Sequence, residues 1–364
     1  MRGPGGRRAA LALGVVVAVL AVTALALHPT VRSGTRAVLV LDGAFDGPLP
    51  RSDEASIEPS EQVLGDVVVH RYSPGGDAPP ILVVPGAAPA GRDDERVVGF
   101  ASALAAAGRE VVVPELRLYD QELDVADVER VVEVAARLCP DDGGLVLFGF
   151  SFGGSLALVA AADERVRRCI DLVATFGAYA DLAGMLQAAV TGVSVVDGET
   201  YPWAADEDAV DSVLRDAATE LVPANQADAL RAALEQRDPD GLPPAARQVY
   251  RMMTTDDPAQ VADLARNLPP PGNALVETFS PVAVADRIEA DVLAAHALDD
   301  PAVPSAELLR LRAAFPQAEV LPVRSFSHVD LTTEGGIGPL LADMLIAWRF
   351  LQAVLREQQE WPWE

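Results

Sequence analysis

The sequence predicts an α/β fold, a mostly parallel central sheet with helices on both faces, carrying a helical cap insertion. Three observations predict it. Short apolar runs rich in β-branched residues recur along the chain, and runs so uniformly apolar suit strands buried on both faces. Between them lie segments with helical spacing of their apolar residues, and strands alternating with helices build parallel sheets. From Tyr179 to about Ala285 the alternation stops and proline-broken helical patterns take over.

The N-terminus calls for a different solvent. Ala9 to Leu27 is an uncharged run rich in Ala, Val and Leu, preceded by Arg2, Arg7 and Arg8. At ~1.5 Å per residue it makes ~28 Å of helix, roughly a bilayer's hydrocarbon thickness. Flanking arginines keep the N-terminus cytoplasmic and the bulk of the chain outside. Ala24-Leu25-Ala26 resembles a signal-cleavage site, but the run exceeds a usual signal core of ~7–15 residues. A single-pass membrane anchor is therefore favoured over a removed signal. Both place the folded part outside the cytoplasm.

Strands are expected at Arg36–Leu41, Asp66–Arg71, Ile81–Val84, Glu110–Val113, Leu145–Phe148 and Ile170–Ala174, then at Asp291–His296 and Glu319–Val323. Asp93–Ala107 and Asp124–Leu138 carry apolar residues at helical spacing. In the insertion, Asp257-Pro258 reads as an N-cap followed by proline at N1, opening a helix toward Asn267. Pro269-Pro270-Pro271-Gly272 stops it. The chain divides into an anchor and linker (1–35), a first core part (36–179), the cap (180–288) and a second core part (289–364).

Composition excludes several classes of function. With 28 basic against 54 acidic residues the net charge is −26, which repels nucleic acid and anionic headgroups. Every basic residue is arginine, so Schiff-base chemistry and lysine-dependent phosphate loops are out. Cys139 and Cys169 are too few for a metal cluster or a disulfide framework. Each stands just before an expected strand, so they could meet at the base of a sheet. Two buried free thiols are the plainer expectation. No metal or cofactor is expected.

The chemistry points to Gly149-Phe150-Ser151-Phe152-Gly153-Gly154. An expected strand precedes it and an apolar helix, Ser155–Ala162, follows. In that context G-x-S-x-G presents a serine on a tight turn. Glycines two positions either side leave room for the turning backbone, and the helix N-terminus favours a developing oxyanion. Serine needs a base. Of four histidines, His28, His70, His296 and His328, only the last two follow Ser151. His296 lies inside an apolar strand, where a structural role fits better. His328 lies just past Glu319–Val323, at the carboxyl end of a strand, where open parallel sheets build their sites. The acid should come from the preceding loop, Asp299-Asp300-Pro301-Ala302-Val303-Pro304.

With these residues the chain resembles the α/β-hydrolase superfamily over roughly Arg36 to Trp348. Members commonly carry an acid, two residues and then Val-Pro, a register that selects Asp300 over Asp299. Asp299 and Asp181 remain the alternatives. The resemblance implies Ser151 as nucleophile, His328 as base and Asp300 as its orienting acid. It implies an oxyanion hole made by the N–H of Phe152 and one from the loop after Ile81–Val84. His-Gly is frequent in that loop. Here Pro85-Gly86-Ala87-Ala88-Pro89 stands instead, leaving Ala87 or Ala88 as donor, with Ala87 preferred. The expected activity is hydrolysis of a carboxylic ester, thioester or lipid acyl bond in a small-molecule or lipid ester substrate. A serine peptidase and a non-catalytic binding protein of the same fold are the alternatives. Tyr250, Met252 and Met253 are candidate acyl-pocket residues, though Met and aromatics at helical spacing more often form core.

Overall fold

The computed structural model describes residues 33–38, 40, 57–75, 80–120, 122–140, 143–205, 214, 217–324, 326–328, 330–331 and 337–356. The Ala9–Leu27 run lies outside these residues. Among the described residues no helix is long and apolar enough to cross a membrane.

Eight strands form one sheet: β1 (Ser60–Leu64), β2 (Val67–Tyr72), β3 (Pro80–Val84), β4 (Glu110–Pro114), β5 (Leu145–Phe150), β6 (Ile170–Phe176), β9 (Asp291–Ala297) and β10 (Glu319–Val323). Their order is β1-β2-β4-β3-β5-β6-β9-β10. Only β2, against β1 and β4, pairs antiparallel; the rest of the sheet is parallel.

Alternation along the central strands explains why they are apolar throughout. Leu82, Val112, Leu145 and Leu147 enter the core on one face, with helices α2 (Ala126–Leu138) and α3 (Ser151–Ala161). Ile81, Val111, Val146 and Phe148 enter the core on the other, with α1 (Glu95–Ala106) and α10 (Ile337–Val354). Burying each such side chain stabilises by about 1.5–3 kcal/mol, so neither face tolerates a polar residue cheaply.

Between β6 and β9 stand α4 (Leu182–Thr191), a hairpin of β7 (Val193–Val196) and β8 (Glu199–Pro202), then α5 (Ala224–Gln236), α6 (Pro244–Thr254), α7 (Pro258–Arg266) and α8 (Gly272–Thr278). Helix α7 starts as expected, Asp257 accepting from the N–H of Ala259. The hairpin corrects the expectation of helices alone. Its turn residues Asp197 (φ 51°) and Gly198 (φ 82°) both lie in the left-handed region, as a two-residue turn between twisted strands requires.

Two further expectations are corrected. The segment within Arg36–Leu41 is helical, with 33–38 and 40 in helix. Ala37 and Val40 are fully buried while Val38 is exposed, a three-residue spacing that suits a helix against α10 and not a strand. The eighth sheet position goes instead to β1, an edge strand whose mostly exposed, mixed side chains carry little apolar signal. The cysteines are not free thiols: Cys139 and Cys169 form a disulfide.

That disulfide joins the amino ends of neighbouring β5 and β6, opposite the end that carries Ser151. It closes a loop of sequence separation 30, which in the chain-entropy account is worth about 3–4 kcal/mol. The Cys139→Ser/Cys169→Ser double variant should therefore melt several degrees below the oxidised protein in calorimetry, and equal melting temperatures would remove the bridge's stabilising role.

Candidate active site

The strand order reverses between β3 and β5. There the loops after the two strands diverge and leave a crevice. Val84 pairs with Gly149, so the Pro85–Ala88 loop leaves β3 beside the turn that leaves β5. Ser151 is the first residue of α3 and has φ 50°. A side chain held in that region costs ~1–3 kcal/mol and persists where surrounding structure over-determines it. The loop after β3 comes close: a Cβ on Gly86 would lie 3.0 Å from Ser151 Cβ.

The neighbouring strand brings the base. Phe150 pairs with Phe176, so Ser151 and Gly177 follow side by side, at a strand spacing of ~4.8 Å. Gly177 has φ 71°, and a Cβ there would come 3.1 Å from His328 Cε1 and 3.6 Å from Asp300 Oδ2. A side chain at 177 would thus occupy the space the imidazole uses. His328, past β11 (Phe326–Ser327), is itself in the left-handed region at φ 54°.

Asp300 follows β9 and is 2 % exposed. Its Oδ1 accepts from the N–H groups of Ala302 (2.8 Å) and Val303 (2.9 Å), and its Oδ2 from His328 Nδ1 (2.8 Å). An ionised carboxylate only accepts, which assigns the proton of His328 to Nδ1 and leaves Nε2 as the basic nitrogen. Burial alone would raise the carboxyl pKa of Asp300. The hydrogen bond and charge of His328, the charge of His296 and the Val303 N–H outweigh it, holding the group below its ordinary value. Asp299 is exposed. Asp181 instead caps α4 through the N–H of Ala183 and accepts from Arg266. Of the three acids weighed, Asp300 alone is brought to the histidine.

The Phe152 N–H lies in the first turn of α3, beside the serine. In the facing loop the Ala88 N–H donates to Gly86 O at 2.8 Å. A donor already held in a turn is poorly placed for an oxyanion, which leaves Ala87 as the better candidate.

In sequence, residues 79–333 match the alpha/beta hydrolase fold family. The chain belongs to that family. No curated protein sequence matches it. Among solved structures, a Mycobacterium tuberculosis puromycin-hydrolysing peptidase matches at TM-score 0.52 and 16% identity, covering 85% of this chain and 41% of its own. A Pyrococcus horikoshii acylaminoacyl peptidase matches at TM-score 0.48 and 12% identity, covering 85% and 43%. For a meta-cleavage product hydrolase from Pseudomonas fluorescens IP01 the figures are 0.44 and 15%, with coverage of 82% and 98%. The chain spans less than half the length of the two peptidases, and at these identities the likeness is one of fold.

Within this hydrolase fold, three features escaped the sequence. His296 is indeed buried and structural, its Nε2 donating to Val303 O at 3.0 Å, but that nitrogen also stands 3.4 Å from Asp300 Oδ2. Burial pushes its pKa below the ordinary value, with the charge of Asp300 opposing that shift. Gly177 is the second, legible only once β6 is set beside β5. The third is Trp203, whose Nε1–H donates to the Asp300 carbonyl at 2.8 Å from the end of the inserted hairpin. Phe152 packs edge-on against Tyr179 and Phe279, with centroids 5.2 and 5.3 Å away, tying the serine turn to the insertion. Phe150 packs against Phe100 and Phe148 instead. Tyr250 and Met252 are buried in the main core and Met253 packs against it, the core role rather than an exposed pocket wall. Among the described residues no cluster suited to a metal ion is found.

Proposed function

We propose that the chain is a serine hydrolase that cleaves a carboxylic ester, thioester or lipid acyl bond of a small-molecule or lipid substrate. Ser151 Oγ attacks the acyl carbon while its proton passes to His328 Nε2. The same proton then goes to the departing alcohol or thiol, leaving an acyl-enzyme that water hydrolyses by the reverse sequence. Asp300 keeps the imidazole in the tautomer that can accept that proton and stabilises it once charged. The N–H groups of Phe152 and Ala87 receive the oxyanion.

One observation carries this reading. A serine at φ 50° opens a helix beside a glycine that packs against a histidine bonded to a buried carboxylate. The N-terminal run, read as a membrane anchor, would hold the catalytic part outside the cytoplasm, and a disulfide suits an oxidising compartment. Amide substrates remain the competing class, because the puromycin-hydrolysing peptidase shares the fold.

The test is labelling of the full chain by a fluorophosphonate probe. Wild type should label and Ser151→Ala should not. Folded wild-type protein that stays unlabelled would overturn the reading. Matched p-nitrophenyl esters and p-nitroanilides of graded acyl length then separate ester from amide preference.

A further inference from the structure

We propose that Trp203 is a positioning residue for Asp300, and that the inserted hairpin acts as a strap over the acid loop; this rests on the serine hydrolase reading above. Asp300 stands early in the loop that runs from β9 to α9 (Glu307–Ala314). Its carboxylate is occupied by Ala302, Val303 and His328. Those bonds tie the carboxylate to its own loop and to His328, and none of them restrains the Asp300 carbonyl. The Trp203 indole supplies that restraint, 2.8 Å from the Asp300 carbonyl, across 97 positions of sequence.

The hairpin is well placed to act as a rigid support. The Trp203 N–H donates to Gly192 O at 2.8 Å, closing the base of β7–β8. The Val195 N–H donates to Gln187 Oε1 at 2.9 Å, and Gln187 Nε2 to Pro258 O at 2.8 Å, binding the hairpin to α4 and the start of α7. The far end of the acid loop is tied to the same hairpin. Arg310 Nη2 donates to Val195 O at 2.7 Å, and Arg310 Nη1 pairs with the buried Glu307 carboxylate. Glu307 Oε2 in turn accepts from the Ala180 N–H at 2.9 Å, at the root of the insertion. One two-stranded element thus grips both ends of the loop that carries the acid. A hydrogen bond from a neutral indole adds little to stability. Its effect on the reaction is larger than that, because rate depends steeply on the geometry of the reacting groups.

The consequence is chemical. A loosened Asp300 holds His328 Nδ1 less well. The imidazolium that forms during the reaction then loses part of the opposite charge that stabilises it. Trp203→Phe should then lower kcat/KM for an activated ester roughly ten- to a hundredfold with little change in KM. The acid limb of its pH profile should move to lower pH by about half a unit.

Rates are measured on the full chain and normalised to sites titrated by the fluorophosphonate probe, so partial misfolding does not mimic the effect. Trp348→Phe is the control, since it removes an equally short indole bond, 2.8 Å to Gly34 O, outside the site. It should leave the pH midpoint in place. Replacing Trp203 by benzothienylalanine, which keeps the ring shape and exchanges N–H for sulfur, covers the case in which the phenylalanine variant does not fold. It should shift the midpoint in the same direction. Wild-type midpoint and rate per titrated site in either Trp203 variant would overturn the strap while leaving Ser151-dependent labelling intact. Equal losses in the Trp203 and Trp348 variants without a midpoint shift would also overturn it, as packing alone. A wild-type protein that takes no probe removes the hydrolase reading and this proposal together.

Discussion

Asp300→Asn should reduce kcat/KM for an activated ester about a thousand- to ten-thousandfold at neutral pH, with the fold retained. The argument is geometric. The Asn carbonyl can take over from Oδ1 and keep the N–H groups of Ala302 and Val303, which stand 2.8 and 2.9 Å away. The amide NH2 then faces His328 Nδ1 where an acceptor stood at 2.8 Å. A donor there forces the imidazole to carry its proton on Nε2, the nitrogen that must accept the serine proton. The nucleophile loses its base although every heavy atom stays in place. Steady-state rates and circular dichroism together check this. A variant within tenfold of wild type would show that Asp300 is not the orienting acid.

The same substitution carries a pH signature. The Asp300 carboxyl titrates below its ordinary value in the folded protein, burial being outweighed by His328 and the other donors. A depressed carboxyl contributes stability that is complete above the unfolded-state pKa and is lost as pH falls through the folded one. The stability difference between wild type and Asp300→Asn should therefore be largest near neutrality and shrink below about pH 4. Denaturant unfolding at a series of pH values measures it, and a difference that grew on acidification would contradict the assignment.

Gly153→Ala should cost about 3 kcal/mol or more and abolish probe labelling. A Cβ at 153 would lie 2.1 Å from Pro85 O and 2.4 Å from Val84 O. Those are backbone atoms of β3 and the loop after it, so no side chain can rotate away. The strain falls on the serine turn and on the oxyanion loop at once. Gly149 is held in the same way, since its Cβ would meet Gly154 Cα at 2.4 Å. Gly99 supplies the contrast. It sits in α1 with nothing within 4 Å of an added Cβ, so Gly99→Ala should stabilise by about 0.5–1 kcal/mol through helix propensity. Thermal melts of the pair decide it. Equal melting of Gly153→Ala and wild type would mean the turn is looser than its contacts imply.

Seven of the sheet's eight strands were legible in the sequence, most clearly the central ones. β3 and β5 are buried on both faces, and that burial writes itself into the chain as nearly unbroken apolar runs, with β6 interrupted only by Asp171 and Thr175. β1 was not legible because an edge strand has little to bury. The apolar run Ala37–Leu41 misled in the opposite sense, since a short run cannot by itself distinguish a strand from a helix packed on one side. The β7–β8 hairpin did carry a signal, Asp197-Gly198 between alternating residues, submerged among helical neighbours.

For the site the division has a physical cause. The sequence by itself singled out Ser151 and His328 as candidates, because the fold's connectivity fixes their order and only two histidines follow the serine. It determined the glycines of the turn as well, since their requirement is local and steric. Asp300 needed the resemblance to be chosen over its neighbour, and the structure brings it to the histidine through contacts no local pattern encodes. Gly177, Trp203 and the approach of His296 to Asp300 belonged to the tertiary structure alone. Gly177 meets His328 and Asp300 from far along the chain, and Trp203 reaches Asp300 across 97 positions. Steric demands along the chain leave a local trace in residue type. A contact made only when distant segments pack leaves none.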